Sequence, residues 1–127
     1  GPEGKYVAYG PGEHTRDFVY VKDVVKVNLW FWQHPDKSGI FNCGTGLAHP
    51  FKTLAEGVLK HFGAPMSKLE FVDFPETLKG KYQCYTQADT SKLLAAGYDG
   101  GFTPIEVAIE EYCQQMDRTG GYYEYAR

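Results

Sequence analysis

The stretch from Arg16 to Val24 constrains the fold of this chain more than any other. Between Phe18 and Val21, aromatic residues alternate with valines, a pattern typical of a short strand with both faces covered. Asp23 then offers an acceptor to the free N–H groups at the start of an apolar helix. The stretch therefore predicts a strand that leads directly into a helix, with Arg16 at the far end of the strand.

Arg16 allows two interpretations. Its planar, permanently charged guanidinium matches the geometry of a phosphate or a carboxylate on a ligand. Alternatively, it is a structural arginine that pairs with a nearby acidic side chain at the end of the strand. The spacing of the residues leaves both interpretations open.

The composition is that of one globular domain. The chain has 127 residues, of which 43% are hydrophobic, enough to form a real core. Its formal net charge of −3 does not favour a nucleic-acid partner. No segment approaches the roughly 18 consecutive apolar residues of a membrane span. We therefore expect a small-molecule partner and a cytoplasmic protein.

Neither disulfide chemistry nor secretion is indicated. Cys43, Cys84 and Cys113 are odd in number and include no Cys-x-x-Cys pair, so they predict neither a disulfide framework nor a zinc site. No secretory signal is visible. The chain opens with Gly1-Pro2, which we interpret as the remainder of a cleaved tag.

Strands and helices alternate along the rest of the chain. A short extended piece is predicted at 6–9, further strands at 38–43 and 69–73, and helices at 23–33, 50–62, 89–96 and 103–116. A turn at 44–46 joins a strand to a helix as in a βα unit, and a capping box at Thr103–Glu106 opens the last helix. The pattern predicts a small alternating α/β domain over 16–118, with a linker at 1–15 and a tail at 119–127.

The first helix, from Asp23 to Gln33, is apolar around nearly its whole circumference. One face carries Val24, Val27 and Phe31, and the adjacent face carries Val25, Leu29 and Trp32. Such a helix is buried on two sides, so we expect it to pack against this domain and against a surface outside it. Trp30, predicted to be exposed, supports that expectation.

The glycine turn Gly44-Thr45-Gly46 also has two interpretations. Backbone N–H groups of such a turn can bind a pyrophosphate between a strand and a helix. The third glycine of a dinucleotide fingerprint is missing, however, because His49 occupies its position. The alternative, a plain tight βα turn, needs no cofactor.

No self-contained catalytic group is visible in the sequence. The four histidines, His14, His34, His49 and His61, lack metal-site spacing and are expected on the surface or in loops. No serine or cysteine lies in a nucleophile elbow. The sequence therefore predicts neither a metal site nor a nucleophile.

A candidate binding set remains, formed by Arg16, Lys79, Lys81 and Tyr82, with Gln83 beside them. An arginine, one or two lysines and an aromatic ring suit a ligand that carries phosphates and a ring or a sugar. The alternative is that the lysines are solvated loop residues and the tyrosine belongs to the core.

Five segments carry a resemblance to a known family. They are Arg16–Val24, Val27–Phe31, Gly39–Gly46, Leu78–Asp89 and Ala95–Tyr98. The first resembles a motif in the C-terminal part of extended short-chain dehydrogenase/reductases that act on nucleotide sugars. Together the segments look like the ADP-glyceromanno-heptose 6-epimerases, which invert C6 of the heptose used in bacterial lipopolysaccharide.

The resemblance implies a nucleotide-sugar site. Arg16 aligns with an arginine that binds the nucleotide sugar, at its diphosphate, and Tyr82 aligns with a substrate-contacting tyrosine. Of a Phe-Glu-Gly-Ser segment that contacts substrate in the family, this chain keeps only Gly10. With Lys79 and Lys81, these residues make up the expected substrate-binding set.

The resemblance also implies what the parent enzyme uses and this chain does not carry. The family has a glycine-rich NADP fingerprint and a catalytic Tyr-x-x-x-Lys, whereas no tyrosine here has a lysine four residues on. Inversion at C6 is expected to need transient oxidation and return of a hydride through the nicotinamide. We therefore expect a substrate-binding portion that lacks catalytic residues, binds no cofactor alone and is inactive alone.

The expected partners are then an ADP-sugar, a missing N-terminal cofactor domain and, in the parent enzyme, further copies of the same chain. Two alternatives stay open. The chain is a free-standing nucleotide-sugar binding or regulatory module, or it is part of another nucleotide-sugar epimerase or dehydratase.

Overall fold

Short strands and four helices alternate in the structure, a computed structural model that describes the backbone of residues 6–9 and the whole of residues 14–78 and 81–120. In chain order the elements are β1 Tyr6–Tyr9, β2 Thr15–Arg16, α1 Val21–Gln33, β3 His49–Pro50, α2 Phe51–His61, β4 Leu69–Val72, α3 Ser91–Ala95 and α4 Ile105–Arg118. Single 3₁₀ turns lie at Met66–Lys68 and Glu76–Leu78. The predicted α/β class is therefore confirmed.

The strands form two small pairs. β1 runs parallel to β4, with Tyr6 opposite Leu69, which confirms the strand predicted at 69–73 and makes the extended piece predicted at 6–9 a strand. β2 runs antiparallel to β3 and sets Arg16 opposite His49. A further bridge joins Thr15 to Tyr85, so β2 lies between two separate segments of the chain.

The strand predicted at Phe18–Val21 is wrong. Residues 17–20 have no regular secondary structure, and α1 begins at Val21. The Tyr20 carbonyl accepts hydrogen bonds from the N–H groups of Asp23 (2.9 Å) and Val24 (3.2 Å), which turns the chain into a helix earlier than expected. Asp23 lies inside the first turn of α1 and does not cap it.

The strand predicted at 38–43 is also wrong, and with it the βα unit. No strand is assigned between α1 and β3 in the described chain. The segment is held instead by single contacts, from Lys92 Nζ to the Ile40 carbonyl (2.7 Å) and from Asn42 Nδ2 to the Asp89 carbonyl (3.1 Å). A strand needs a neighbour with which to pair, and these residues find side chains and a loop.

The predicted boundaries of α2 and α3 agree with the structure better than the two strand predictions do. α2 begins at Phe51, one residue after Pro50, and Gly63 beyond its end has a positive φ of 61°, as expected of a C-terminal stop. Asp89 Oδ1 accepts the N–H of Ser91 at 3.0 Å and so supports the start of α3. The helix at 89–96 is correspondingly short, from Ser91 to Ala95.

The predicted capping box at Thr103–Glu106 is wrong, although α4 does begin there, at Ile105. The Thr103 N–H and hydroxyl both donate to the carboxylate of Asp23, at 2.7 and 2.9 Å. A charged, fully buried acceptor competes more strongly for these donors than the helix end does. Asp23 thereby ties α1 to the start of α4.

The core consists of two clusters. One contains Val27, Leu93 and Tyr98, with Trp30 and Phe31 packed against them. Trp30 is thus partly buried, stacked on His34 at 4.3 Å, so the prediction that it is exposed is wrong. The second cluster joins α2 to α4 through Ile105, Ile109 and Cys113, with Phe18, Leu54 and Val58 around them.

Candidate functional site

The structure brings Arg16 and Tyr82 together. The Arg16 guanidinium carbon lies 4.7 Å from the centre of the Tyr82 ring and 5.8 Å from that of Phe51, within the range of a cation–π interaction. Its Nη1 donates to the Thr15 carbonyl at 2.7 Å, and its Nη2 donates to the Gln83 carbonyl. These contacts use two of the five N–H donors of a guanidinium.

The acidic partner that the structural interpretation of Arg16 requires is not present in the described ranges. Within 14–78 and 81–120, no carboxylate lies within 4.0 Å of the guanidinium, and its contacts are carbonyl oxygens and rings. The positive charge is therefore held in a defined position without neutralisation by those residues. Such a charge can attract an anion.

Aromatic rings surround the arginine. The rings of His14, Phe74 and Tyr82 contact one another, with centroids 5.2 to 5.5 Å apart. His14 reaches this cluster because it directly precedes β2, and Phe74 reaches it because it follows β4. The sequence did not place Phe74 in the site, and it predicted His14 on the surface or in a loop. The sequence signal that could have indicated His14 and Phe74 is their position next to the ends of β2 and β4.

The segment from Lys81 to Thr86 carries one side of the site. It lies along β2, because Thr15 N–H donates to the Cys84 carbonyl at 3.0 Å and Thr86 N–H donates to the Thr15 carbonyl at 3.3 Å. Lys81 is exposed, and its place in the site stays a prediction. The predicted site residues Gly10 and Lys79 lie outside the described residues.

The glycine turn at 44–46 is occupied from within the chain by Asp17. The Asp17 carboxylate accepts hydrogen bonds from Thr45 N and Oγ1 (2.8 and 2.6 Å), Gly46 N (2.8 Å) and Ala88 N (3.0 Å). Burial raises the pKa of Asp17, but these hydrogen bonds outweigh it and hold the pKa below its ordinary value. The N–H groups that a pyrophosphate would need are thus used, so this turn does not fit a dinucleotide.

Gly44 is required here by close contact. A Cβ at this position would lie 2.6 Å from the Cβ of Ala88 and 2.8 Å from Asp17 Oδ2. The turn is therefore pressed against both residues. A plain structural turn is the interpretation that the contacts support.

One histidine is not in the environment that sequence analysis predicted. The side chain of His61 is only 10% exposed and lies between two carboxylates, Glu110 Oε2 at 3.0 Å from Nδ1 and Asp117 Oδ2 at 2.9 Å from Nε2. Hydrogen bonds to Asp117 and Glu110 raise its pKa above the ordinary value. In the part of the chain that the structure covers, no three potential ligands are arranged to hold a metal ion.

A large apolar groove lies on another part of the surface. It has a volume of about 690 Å³ and runs between α2, α4 and the residues before α1. Its walls include Val21, Leu54, Phe62, Ala108, Tyr112 and Met116. We call this the apolar groove.

The apolar groove continues onto α1 through Val21. Along that helix, Val25, Leu29 and Trp32 are 50%, 49% and 79% exposed, while Val27 is buried. We call Val21, Val25, Leu29 and Trp32 the α1 stripe. The helix is therefore covered on one side by this domain, and the second covering surface stays a prediction. Among the helices described, none is long and apolar enough to cross a bilayer.

Part of this chain matches a known protein family, and its fold matches solved structures. Residues 2–44 match the model of the NAD dependent epimerase/dehydratase family. The fold is similar to that of UDP-glucose 4-epimerase from Thermotoga maritima, with a TM-score of 0.71 and 26% identity over 92% of this chain. It is also similar to UDP-N-acetylglucosamine 4-epimerase from Methanobrevibacter ruminantium (TM-score 0.74, 22% identity, 91% of this chain) and to GDP-mannoheptose C4 reductase from Campylobacter jejuni (0.63, 19%, 87%).

The match covers only part of those proteins, 36%, 35% and 32% of their chains respectively. This chain thus spans about a third of the length of the solved structures that it resembles. The structures of the Campylobacter jejuni reductase and of an RMD protein from Pseudomonas aeruginosa hold NADP and NADPH. The chain therefore has the α/β fold of a fragment of the extended short-chain dehydrogenase/reductase type, as found in nucleotide-sugar epimerases and dehydratases.

Proposed function

We propose that this chain is the substrate-binding part of a nucleotide-sugar epimerase and that Arg16 binds the diphosphate of the substrate. The observation that carries the proposal is the position of the Arg16 guanidinium, held over the Tyr82 ring by two carbonyls and free of a described acidic partner. A planar cation fixed in this way can bind phosphate oxygens through two parallel hydrogen bonds.

The rings around Arg16 suit the rest of such a ligand. His14, Phe74 and Tyr82 provide apolar faces and polar edges beside the charge. Binding sites of this kind combine aromatic walls with a few polar groups that set the orientation. A phosphate attached to a sugar or a base matches this pairing better than a free inorganic anion does.

For the substrate, we propose ADP-glyceromanno-heptose. The support is the run from Leu78 to Asp89, which resembles the 6-epimerases of that sugar and includes Tyr82. A specific alternative is a UDP-sugar, because two similar structures are UDP-sugar 4-epimerases. A panel of ADP-, UDP-, GDP- and dTDP-sugars distinguishes the two.

We propose that the cofactor domain of the parent enzyme, and not this chain, supplies the redox chemistry. Epimerisation at a carbon without an acidic proton needs a hydride acceptor such as a nicotinamide. This chain has no Tyr-x-x-x-Lys, and its glycine turn is occupied by Asp17. We propose that the apolar groove and the α1 stripe contact the cofactor domain of the parent protein. Large exposed apolar patches mark such interfaces.

Calorimetric titration of the chain with ADP-glyceromanno-heptose tests the proposed site. The variant Arg16→Ala removes the proposed phosphate ligand. The variant Arg118→Ala is the matched control, because Arg118 contacts only Gln114 and Gln115 of its own helix among the described residues. Loss of affinity in the first variant alone supports the proposal, and equal affinities in both variants contradict it.

A further inference from the structure

Asp17 makes more hydrogen bonds to distant parts of the chain than the sequence suggests. It directly follows Arg16, and its two oxygens accept four hydrogen bonds, from Thr45, Gly46 and Ala88. All four partners are N–H or O–H donors. A carboxylate, which only accepts, is the side chain that suits this set.

The bond to Ala88 bears directly on the binding site. Ala88 belongs to the same segment as Tyr82, and that segment is already joined to β2 through Thr15. Asp17 fixes the segment at a second point, on the other side of Arg16. The segment is thus attached at two points, to Thr15 through Cys84 and Thr86, and to Asp17 through Ala88.

We infer that Asp17 is a positioning residue for this site: its carboxylate holds the segment 82–88 against β2 and thereby keeps the Arg16 guanidinium over the Tyr82 ring. The inference rests on the proposed function for its substrate, but the positioning itself is a property of the free chain. The close fit of Gly44 supports the positioning role of Asp17, because the glycine turn packs directly against both Ala88 and the Asp17 carboxylate.

Asp23 provides a matched control. Asp23 is a fully buried carboxylate that accepts hydrogen bonds from the N–H and the hydroxyl of Thr103, and it also contacts Lys26. Its bonds join α1 to the start of α4 and do not involve the segment that carries Tyr82. A substitution at Asp23 therefore reports what loss of a buried carboxylate does to the fold alone.

The test compares Asp17→Asn with Asp23→Asn in the complete 127-residue chain. In both variants an amide NH₂ replaces an acceptor and opposes the N–H donors. The first readout is the NMR shift of the Arg16 side-chain protons, which the Tyr82 ring current displaces from its ordinary value. The second readout is the Kd for ADP-glyceromanno-heptose, measured at a temperature at which each variant is folded.

We expect Asp17→Asn to move the Arg16 resonances towards their ordinary values and to raise the Kd about tenfold, as when a hydrogen bond to a charged group is weakened. Asp23→Asn should lower stability and leave both readouts unchanged. If Asp17→Asn does not fold, Ala88→Pro serves instead, since proline removes the N–H that donates to Asp17 and leaves the Thr45 and Gly46 bonds to Asp17 in place. Its ring also fixes φ at position 88 and restricts the residue before it.

Unchanged Arg16 resonances and an unchanged Kd in the Asp17 variant would overturn the inference and make Asp17 a purely structural residue. If the wild-type chain does not bind the sugar nucleotide but the resonances do move, the positioning role is supported and the proposed function fails. The two claims can therefore fail separately.

Discussion

The guanidinium carbon of Arg16 lies 4.7 Å from the ring centre of Tyr82, although the two residues come from separate segments of the chain. The contact orients the arginine, and among the described residues only two of its five N–H donors have an acceptor, the carbonyls of Thr15 and Gln83. We predict that Tyr82→Leu weakens binding of ADP-glyceromanno-heptose by about 0.5–1 kcal/mol, the value of an exposed cation–π contact. Tyr82→Phe retains the ring and should lose less.

Calorimetry of the two Tyr82 variants measures this difference. Equal losses in both variants would show that the hydroxyl group, and not the ring, makes the contribution. In that case the ring would not be the feature that orients Arg16.

Stability should depend on pH through His61. Both ring nitrogens face carboxylates, Glu110 and Asp117, so both must donate and the imidazolium is the favoured form. The raised pKa means that the folded state holds the proton more tightly than the unfolded state. This stabilisation is complete below the ordinary pKa of 6.5 and is lost as the pH rises through the higher pKa of the folded state.

Thermal melts of wild-type chain and of His61→Gln should therefore differ more at about pH 5.5 than at about pH 9. Gln114 also donates to Glu110, at 2.8 Å, and is kept in both proteins. A difference in melting temperature that is independent of pH would show that His61 contributes only packing between α2 and α4.

Removal of the Asp23 carboxylate should destabilise the fold. Asp23→Ala leaves the Thr103 donors and the Lys26 ammonium without their acceptor, and we expect a loss of about 1–3 kcal/mol in the free energy of unfolding. Lys26→Ala is the control, since Lys26 is largely exposed and its ion pair should contribute less than about 1 kcal/mol. Urea denaturation measures both, and equal losses would assign the stabilisation to the ion pair.

The α1 stripe should be dispensable for folding of this chain. We predict that Leu29→Lys changes the free energy of unfolding by less than about 0.5 kcal/mol, as for other surface positions. Val27→Ala, in the core, should lower the free energy of unfolding by roughly 2 kcal/mol. Co-purification with a separately expressed cofactor domain of the parent protein should be weakened by Leu29→Lys. Undiminished co-purification would contradict the proposed interface.

Local sequence patterns were sufficient for some elements and not for others. The helix at 50–62 could be predicted because its apolar period and its glycine stop are local. The strands at 18–21 and 38–43 could not, because alternation of residues indicates a strand only when another strand pairs with it. In the described structure neither segment has such a partner.

The candidate site was predictable in part for the same reason. Arg16 and Tyr82 could be singled out from residue type and from the family resemblance, and the structure brings them together. The contacts of Asp17 and His61 depend on residues far along the chain. No local pattern reports such contacts, so the sequence could not assign either residue.

The most direct test of the account is calorimetric titration of the 127-residue chain, wild type and Arg16→Ala, with ADP-glyceromanno-heptose. We predict that the wild-type chain binds, that it shows no epimerase turnover with added NADP, and that the variant loses about 1.5–3 kcal/mol of binding free energy. Arg118→Ala should bind as the wild type does. Absence of binding by the wild-type chain, or unchanged affinity in the Arg16 variant, would contradict the account.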